Sequence, residues 1–348
     1  MLMHDHSRPR QGRGSVLVVV LWTLTLLSIL IAVIASQVRL SAQAARLHRA
    51  DLQEWAALSS ALNQAEMELI LTRMPQSLES RELDTLDRTE QYRFNGEPLR
   101  LHYPQSEDVV VRIYDHAGKI NLREIRRGFL RELLAKRLGD DADPARLSEL
   151  MSAWNDWTDL NDAAAPDGAE ADYYLSLDPP YRPRNGPIES VEEILLIKGF
   201  AEVFADVDLD AAFTIYGEAN DQINLNLATV EAMQLLPGLD DESIQAIVEF
   251  RRENEFRGPG DVARLIPAEN MAALRPWIGN TRTSTIYTIM VYPRQERADE
   301  NGVMQDVATT ALAEIVEVST ATLRPRVFKI NPYQRIPIRL PVDGLLEE

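Results

Sequence analysis

Hydrophobic and polar positions change their spacing several times along the chain, and each change predicts a different element. From Ser15 to Ser36 the residues are apolar on every side, SVLVVVLWTLTLLSILIAVIAS, 22 positions without a charge. A helix of that length reaches roughly 33 Å, enough for a hydrocarbon core about 30 Å thick. From Gln37 to Met74 there is neither Pro nor Gly. Leu40, Ala44, Leu47, Leu52, Trp55, Leu58, Leu62, Ala65 and Leu69 recur there at three- to five-residue steps, an apolar stripe on one helix face. The two patterns join without a break and predict one long helix, half of it uniformly apolar and half amphipathic.

Strand-like alternation comes next. Gln91–Phe94 and Pro98–Tyr103 flank Asn95-Gly96, which predicts a hairpin, and Val109 to Tyr114 reads as a third strand. Thr285 to Tyr292, Thr310 to Ser319 and Arg326 to Ile330 are strand-like again, whereas Asn121 to Thr281 carries mostly helical patterns and loops. A sheet interrupted by a helical insertion is the economical reading, an α+β fold. Pro332 to Glu348 contains Pro337 and Pro341, ends in acids and is expected to be a loose tail.

Composition narrows the chemistry. The 348 residues include no cysteine, which excludes disulfide frameworks, cysteine zinc sites and thiol nucleophiles. With 36 Lys and Arg against 54 Asp and Glu, the net charge of −18 has the wrong sign for a general nucleic-acid or anionic-lipid binder. A protein surface or a hard cation is the better partner. The five histidines (4, 6, 48, 102 and 116) make no metal-spaced pair, and no Walker A or GxSxG sequence occurs, so catalysis is not expected.

The apolar segment has three readings: a cleaved secretory signal with a small-residue site at Val33 and Ala35, an uncleaved anchor, or a helix whose leader is cut on the cytoplasmic side, after Gly14. Arg8, Arg10 and Arg13 precede it, so the positive-inside rule leaves the N-terminus cytoplasmic and exports the chain beyond the span.

From Asp140 to Asp172 ten acids accompany a single base, Arg146. Clustered carboxylates repel one another unless a cation gathers them, and Ca²⁺ takes six to eight oxygens of this kind. The spacing is not that of an EF-hand, because Ala163 stands at the fifth position from Asp159 and the required Gly is absent. The expected ligands are drawn from Asp159, Asn161, Asp162, Asp167, Glu170 and Asp172, with Asp156 orienting the loop. A solvated acidic loop is the alternative. Trp154, Trp157, Tyr173 and Tyr174 are expected to form core around it.

The insertion also echoes itself. Lys119-Ile120-Asn121-Leu122 resembles Gln222-Ile223-Asn224-Leu225, each ahead of a helix, and part of the likeness is helix capping. Leu236 to Leu265 reads as two short helices about a Pro-Gly turn, a helix-hairpin-helix-like module. Its hairpin, Gly238-Leu239-Asp240-Asp241-Glu242, puts three acids where phosphate would approach, although Arg251, Arg252, Arg257 and Arg264 are near. Packing against protein is favoured over DNA.

These features together resemble the K-type minor pseudopilin of type II secretion systems (general secretion pathway protein K, GspK). The basic leader ending in Gly14, the long stem, the insertion and the loop Asp156-Trp157-Thr158-Asp159 followed by Pro166-Asp167-Gly168-Ala169-Glu170 carry the likeness. Counting from Ser15, the fifth residue is Val19, where pilins usually have Glu, and no acid stands between Ser15 and Ala50. A subunit with nothing above it has no use for that charge.

The resemblance implies a pilin-like long N-terminal helix packed on an antiparallel sheet, with a leader at 1–14, a transmembrane half-stem at 15–36, a first part of the head at 37–118, a helical subdomain at 119–282 and a second part of the head at 283–348. It implies cleavage by a prepilin peptidase between Gly14 and Ser15 with N-methylation of Ser15, calcium in the subdomain, and an inner-membrane anchor with a periplasmic head. It further implies a tip complex with the I- and J-type minor pseudopilins and other pseudopilins. Leu47, Trp55, Leu58 and Leu62 are the expected partner surface. A membrane-anchored DNA receptor and a minor pilin of another type IV filament stay open as alternatives.

Overall fold

The computed structural model describes residues 13–73, 93–101, 108–139, 143–217, 222–279, 281–294, 296–298, 304–306, 310–319 and 324–336. The chain divides into two compact units, Met1–Ala57 and Leu58–Glu348. The long helix predicted from the pattern is present as α1, Arg13–Arg73, 61 residues without interruption.

In the first unit, Val16, Leu17, Val18, Val19, Val20, Leu21 and Trp22 are all about half or more exposed, so no face of the helix is reserved for protein. Its hydroxyls satisfy themselves by donating to carbonyls one turn back: Thr23 to Val20 at 2.9 Å, Thr25 to Trp22 at 2.8 Å and Ser36 to Val33 at 2.7 Å. That is how a polar side chain is tolerated in lipid. This is the one helix among the described residues long and apolar enough to cross a membrane.

In the second unit, the last four turns of α1 bury Leu58, Ala61, Leu62, Ala65 and Leu69. Beside them lies a five-stranded antiparallel sheet: β1 (Asn95–Leu99), β2 (Val109–Asp115), β5 (Ile286–Pro293), β8 (Thr310–Glu317) and β9 (Arg326–Arg335), paired in that order. Between β5 and β8 in the chain, β6 (Glu296–Ala298) and β7 (Met304–Asp306) pair with each other as a separate antiparallel ribbon. Alternation splits the side chains of the main sheet between two faces. Tyr287 meets the end of the stem, accepting from Arg73 Nε through its hydroxyl at 2.8 Å. The opposite face carries Val110, Tyr114, Met290, Tyr292, Ala311 and Ala313.

Two expectations are corrected here. Asn95-Gly96 is no hairpin turn: both residues lie in β1, Asn95 pairs with Tyr114, and the register shifts before Pro98 pairs with Arg112. Gly96 takes φ +90°, and a Cβ there would stand 2.1 Å from Tyr114 Cε1, so glycine is required by a bulge and not by a turn. The loose tail begins later than expected, because β9 continues through Pro332 to Arg335. Pro332 falls in a register shift between Asn331 and Gln334 on an edge strand, where a missing N–H costs little. The rest of the tail, 337–348, lies outside the described residues, as do Gln91 and Tyr92 and most of the leader.

Adjacent strands β2 and β5 are separated in sequence by the helical insertion. Its core is one apolar cluster running from Ile120 to Ile278, with Tyr174, Phe200, Phe204, Phe213 and Trp277 fully buried. Two short parallel strands, β3 (Ile120–Asn121) and β4 (Phe213–Thr214), tie its first and middle parts. The internal echo is a shared local device: Asn121 Oδ1 accepts from Arg123 N at 3.1 Å, and Asn224 Oδ1 from Asn226 N at 3.0 Å. Both are Asx turns.

Two buried groups close the mouth of the insertion. Asp115 accepts from the outgoing chain at Ala117 N (2.8 Å) and from the returning chain at Ser284 N (2.9 Å). His116 bridges Thr214 Oγ1 of β4 (2.7 Å) and Thr288 Oγ1 of β5 (2.8 Å). Burial holds its pKa well below the usual histidine range, so the imidazole is neutral at physiological pH.

Candidate functional site: the acidic loop

The helix α3 (Pro144–Thr158), which comes after α2 (Arg127–Leu138), starts at Asp143, whose carboxylate accepts from Ala145 N at 2.8 Å, and has Pro144 in its first turn. Its apolar face buries Leu147, Leu150, Met151, Trp154 and Trp157, and Asp156 is buried with them at 1% exposure. Asp156 faces backbone donors: Ala165 N at 3.1 Å and Ala169 N at 2.8 Å. Those bonds pin the loop onto the helix. Gly168 makes room, since a Cβ there would stand 1.9 Å from Asp156 Oδ2. The orienting role expected of Asp156 is visible in these contacts.

Beyond Thr158 the loop is built from successive Asx turns. Asp159 Oδ1 accepts from Asn161 N at 3.0 Å, and Asn161 Oδ1 from Ala163 N at 2.8 Å. Asn185, at φ +49°, donates through Nδ2 to Asn161 O (3.2 Å) and to Asp162 Oδ1 (2.7 Å). Lys198 holds the far part, donating to Asp167 O at 3.0 Å and pairing with Glu149 at 3.2 Å.

Glu170 stands immediately before the short helix α4 (Ala171–Leu175), only 7% exposed. Both of its carboxylate oxygens are buried without a hydrogen-bond partner, and so is Asn185 Oδ1. Burial pushes the Glu170 carboxyl above its ordinary pKa, and the negative charges of Asp156, Asp159 and Asp162 push it further the same way. Each orphaned buried acceptor costs about 1–3 kcal/mol. Acceptors facing acceptors are relieved only by a proton or a cation.

Of the six expected ligands, Asp159 and Asp162 therefore act on Glu170, and Asn161 is tied to Asp162 through the Asn185 amide. Asp167 and Asp172 lie at the margin, and Asp167, at φ +62°, contributes through its carbonyl. Among the described residues no group of three or more His, Asp or Glu side chains is arranged so that it could hold a metal ion. Trp154, Trp157 and Tyr174 are core as expected, with Trp157 edge-on to Tyr174 at 5.2 Å, while Tyr173 is exposed.

The helix-hairpin acids behave differently. Asp240 precedes α8 (Asp241–Glu253), which comes after α5 (Phe200–Phe204), α6 (Leu209–Ala212) and α7 (Val230–Leu235). Its carboxylate takes Ser243 N at 2.8 Å, the donor a phosphate would need. Arg251 is buried and donates inward to Leu225 O and Ala228 O. Gly238 serves close packing, since a Cβ there would stand 2.2 Å from Asn270 O.

Residues 117–207, which contain the whole acidic loop, match the family profile of the first domain of type II secretion system (T2SS) protein K. The chain is 27% identical over 185 residues to the type II secretion system protein K of Klebsiella pneumoniae, an alignment covering 51% of this chain. The chain spans 56% of that relative's length. In structure it resembles a chain of the GspK-GspI-GspJ complex of the type 2 secretion system from enterotoxigenic Escherichia coli, at 13% identity, with a TM-score of 0.48 over 81% of this chain and 98% of that one.

Within this chain the four residues expected to face a partner separate into two pairs. Leu47 and Trp55 are 67% and 51% exposed. Leu58 and Leu62, at 9% and 8%, are core of the head itself, which corrects their placement on a partner surface. Gly14 and Ser15, the expected processing pair, fall in the first turn of α1. Asn185 and Lys198 were not foreseen as parts of the acidic loop. The only signal for the first was the turn dipeptide Asn185-Gly186; the second had none.

Proposed function

We propose that this chain is a minor pseudopilin of a type II secretion system, anchored in the inner membrane by α1 and carrying its head in the periplasm. The observation that carries the reading is the protein K domain at 117–207 behind a continuous helix whose first half is apolar on every face. A prepilin peptidase cuts after Gly14 and Ser15 becomes the methylated N-terminus. With no carboxylate between Ser15 and Ala50, the helix offers no counter-charge to the terminus of a subunit stacked above it, so the chain stands at the tip. There it joins the I- and J-type minor pseudopilins to start or cap the filament that exports folded proteins. Its large insertion fits a filament end better than a filament interior.

The acidic loop holds Ca²⁺ in this reading. Glu170, Asp159 and Asp162 would supply carboxylates, and Asn161, Asn185 and loop carbonyls the neutral oxygens a six- to eight-coordinate ion needs. The cation would offset the negative charge that Asp156, Asp159 and Asp162 bring to Glu170. What supports it is the bare buried carboxylate of Glu170. The role is structural, and no catalytic step is assigned.

Co-expression with the I- and J-type subunits of the same host tests the assembly. The expected result is a ternary complex that survives gel filtration; a head that elutes alone with both partners present and folded would overturn it. Salt-sensitive binding of duplex DNA would instead favour the receptor reading.

A further inference from the structure

Between the sheet and the insertion lies a cavity of about 130 Å³. Met290, Ala313 and Ile315 wall it from the sheet side, and Phe213 and Ile215 from the insertion. An apolar cavity of roughly 150 Å³ takes a molecule of benzene's size.

Two buried donors line it with capacity to spare. Tyr114 is 3% exposed and its hydroxyl has no hydrogen-bond partner. Lys119 is 7% exposed; its Nζ donates to Asp210 O at 2.7 Å and lies 5.4 Å from the centre of the Tyr114 ring. An ammonium carries three N–H bonds, and that carbonyl accepts one of them. The local charges are largely paired: burial lowers the Lys119 pKa to about 8 while Asp210 and Asp208 oppose that fall, Lys329 pairs with Glu192 at 3.1 Å, Glu189 with Arg184 at 2.9 Å, and Arg335 acts on Asp208. An anion would meet Asp208 and Asp210, and a cation would meet Lys119. A neutral acceptor meets neither. Polar groups such as Asp208, Asp210, Asn331 and Gln334 also line the cavity, but most of its exposed wall is apolar, so water filling it would lack partners over much of its surface whereas an apolar body would not.

We propose that this cavity is a binding site for a small uncharged carbonyl compound with a compact apolar body, its oxygen accepting from Tyr114 Oη and Lys119 Nζ. A carbonyl oxygen has two lone pairs and can accept from two donors that line the same cavity.

Met290 provides the readout. With the full chain in detergent and ¹³C-methyl methionine labelling, cyclopentanone is titrated while the Met290 methyl resonance is followed, with cyclopentane as the control that lacks an acceptor. The expected result is saturable displacement of that resonance by cyclopentanone at about millimolar concentration. Tyr114→Phe, and separately Lys119→Met, should each weaken binding about two- to ten-fold, the worth of one hydrogen bond. A dispersed Met290 resonance in each variant verifies that it has folded. No displacement by cyclopentanone would overturn the proposal. So would equal affinity for cyclopentane, or unchanged affinity in both variants, since either result would make the cavity a plain apolar void.

Discussion

Two carboxylates are buried in the same head, and their surroundings are opposite. Asp115, 1% exposed, faces the amides of Ala117 and Ser284. Glu170, 7% exposed, feels the charges of Asp156, Asp159 and Asp162, with only the Asn185 amide to oppose them. Burial raises both; Asp115 reaches about 7 in spite of its two amides. The first is a complete structural device, holding the outgoing and returning chain of the insertion together. In the calcium reading, a cation completes the second. A buried acid surrounded by backbone N–H groups signals architecture, whereas one surrounded by other acids signals a missing positive charge.

The contrast can be broken from either side. Asp115→Ala should have the largest effect, because it leaves two amides without an acceptor at the mouth of the insertion: a loss of about 3 kcal/mol in urea unfolding at pH 7, independent of calcium. Calcium should come next. At a hundred-fold excess over Kd it should add about 2.7 kcal/mol to the wild-type head, and Glu170→Gln should abolish most of that gain. Equal melting temperatures in calcium and in chelator would remove the ion from the account.

Gly168→Ala should cost about 2 kcal/mol, since the new methyl displaces Asp156 from the amides of Ala165 and Ala169, and it should weaken the calcium response as well. A variant with full calcium response would separate Asp156 from the loop's geometry.

The smallest effect is a pH dependence. Glu314 on β8 is 4% exposed and interacts with Glu66 on the stem; burial first, and then that neighbour, raise its pKa from 4.5 to about 7. A raised folded pKa means the native state holds the proton more tightly than the unfolded one. This contribution is full below about 4.5 and is lost as pH climbs through 7, and Asp115 works in the same direction between 3.8 and about 7. Glu314→Gln should stabilise the head by on the order of 1 kcal/mol at pH 8 and hardly at all at pH 4. Proton and calcium compete for Glu170, so the calcium-induced rise in melting temperature should be greater at pH 8 than at pH 5.

Much of this was legible in the sequence, for identifiable reasons. The stem was readable because 22 uncharged residues pass into a helical stripe without Pro or Gly. Strands β2, β5 and β8 were readable as apolar runs between polar segments. Asn95-Gly96 misled because Asn and Gly serve a bulge as well as a turn, and only the Tyr114 ring packed over Gly96 distinguishes the two. Leu58 and Leu62 misled because a stripe that faces a partner and one that faces the chain's own sheet have the same spacing. The acid cluster was visible as composition, yet its selection was not. Which acids are drawn together depends on Asn185 and Lys198, which arrive from later loops, and on Asp156 being occupied by amides.

The intact mass of the chain extracted from its host's membranes is the most direct test of the pseudopilin reading. That reading predicts a polypeptide that begins at Ser15 and carries one N-terminal methyl group. A chain retaining the residues before Ser15, or one starting near Ser36, would contradict it, because neither product leaves a processed helix to assemble into a filament.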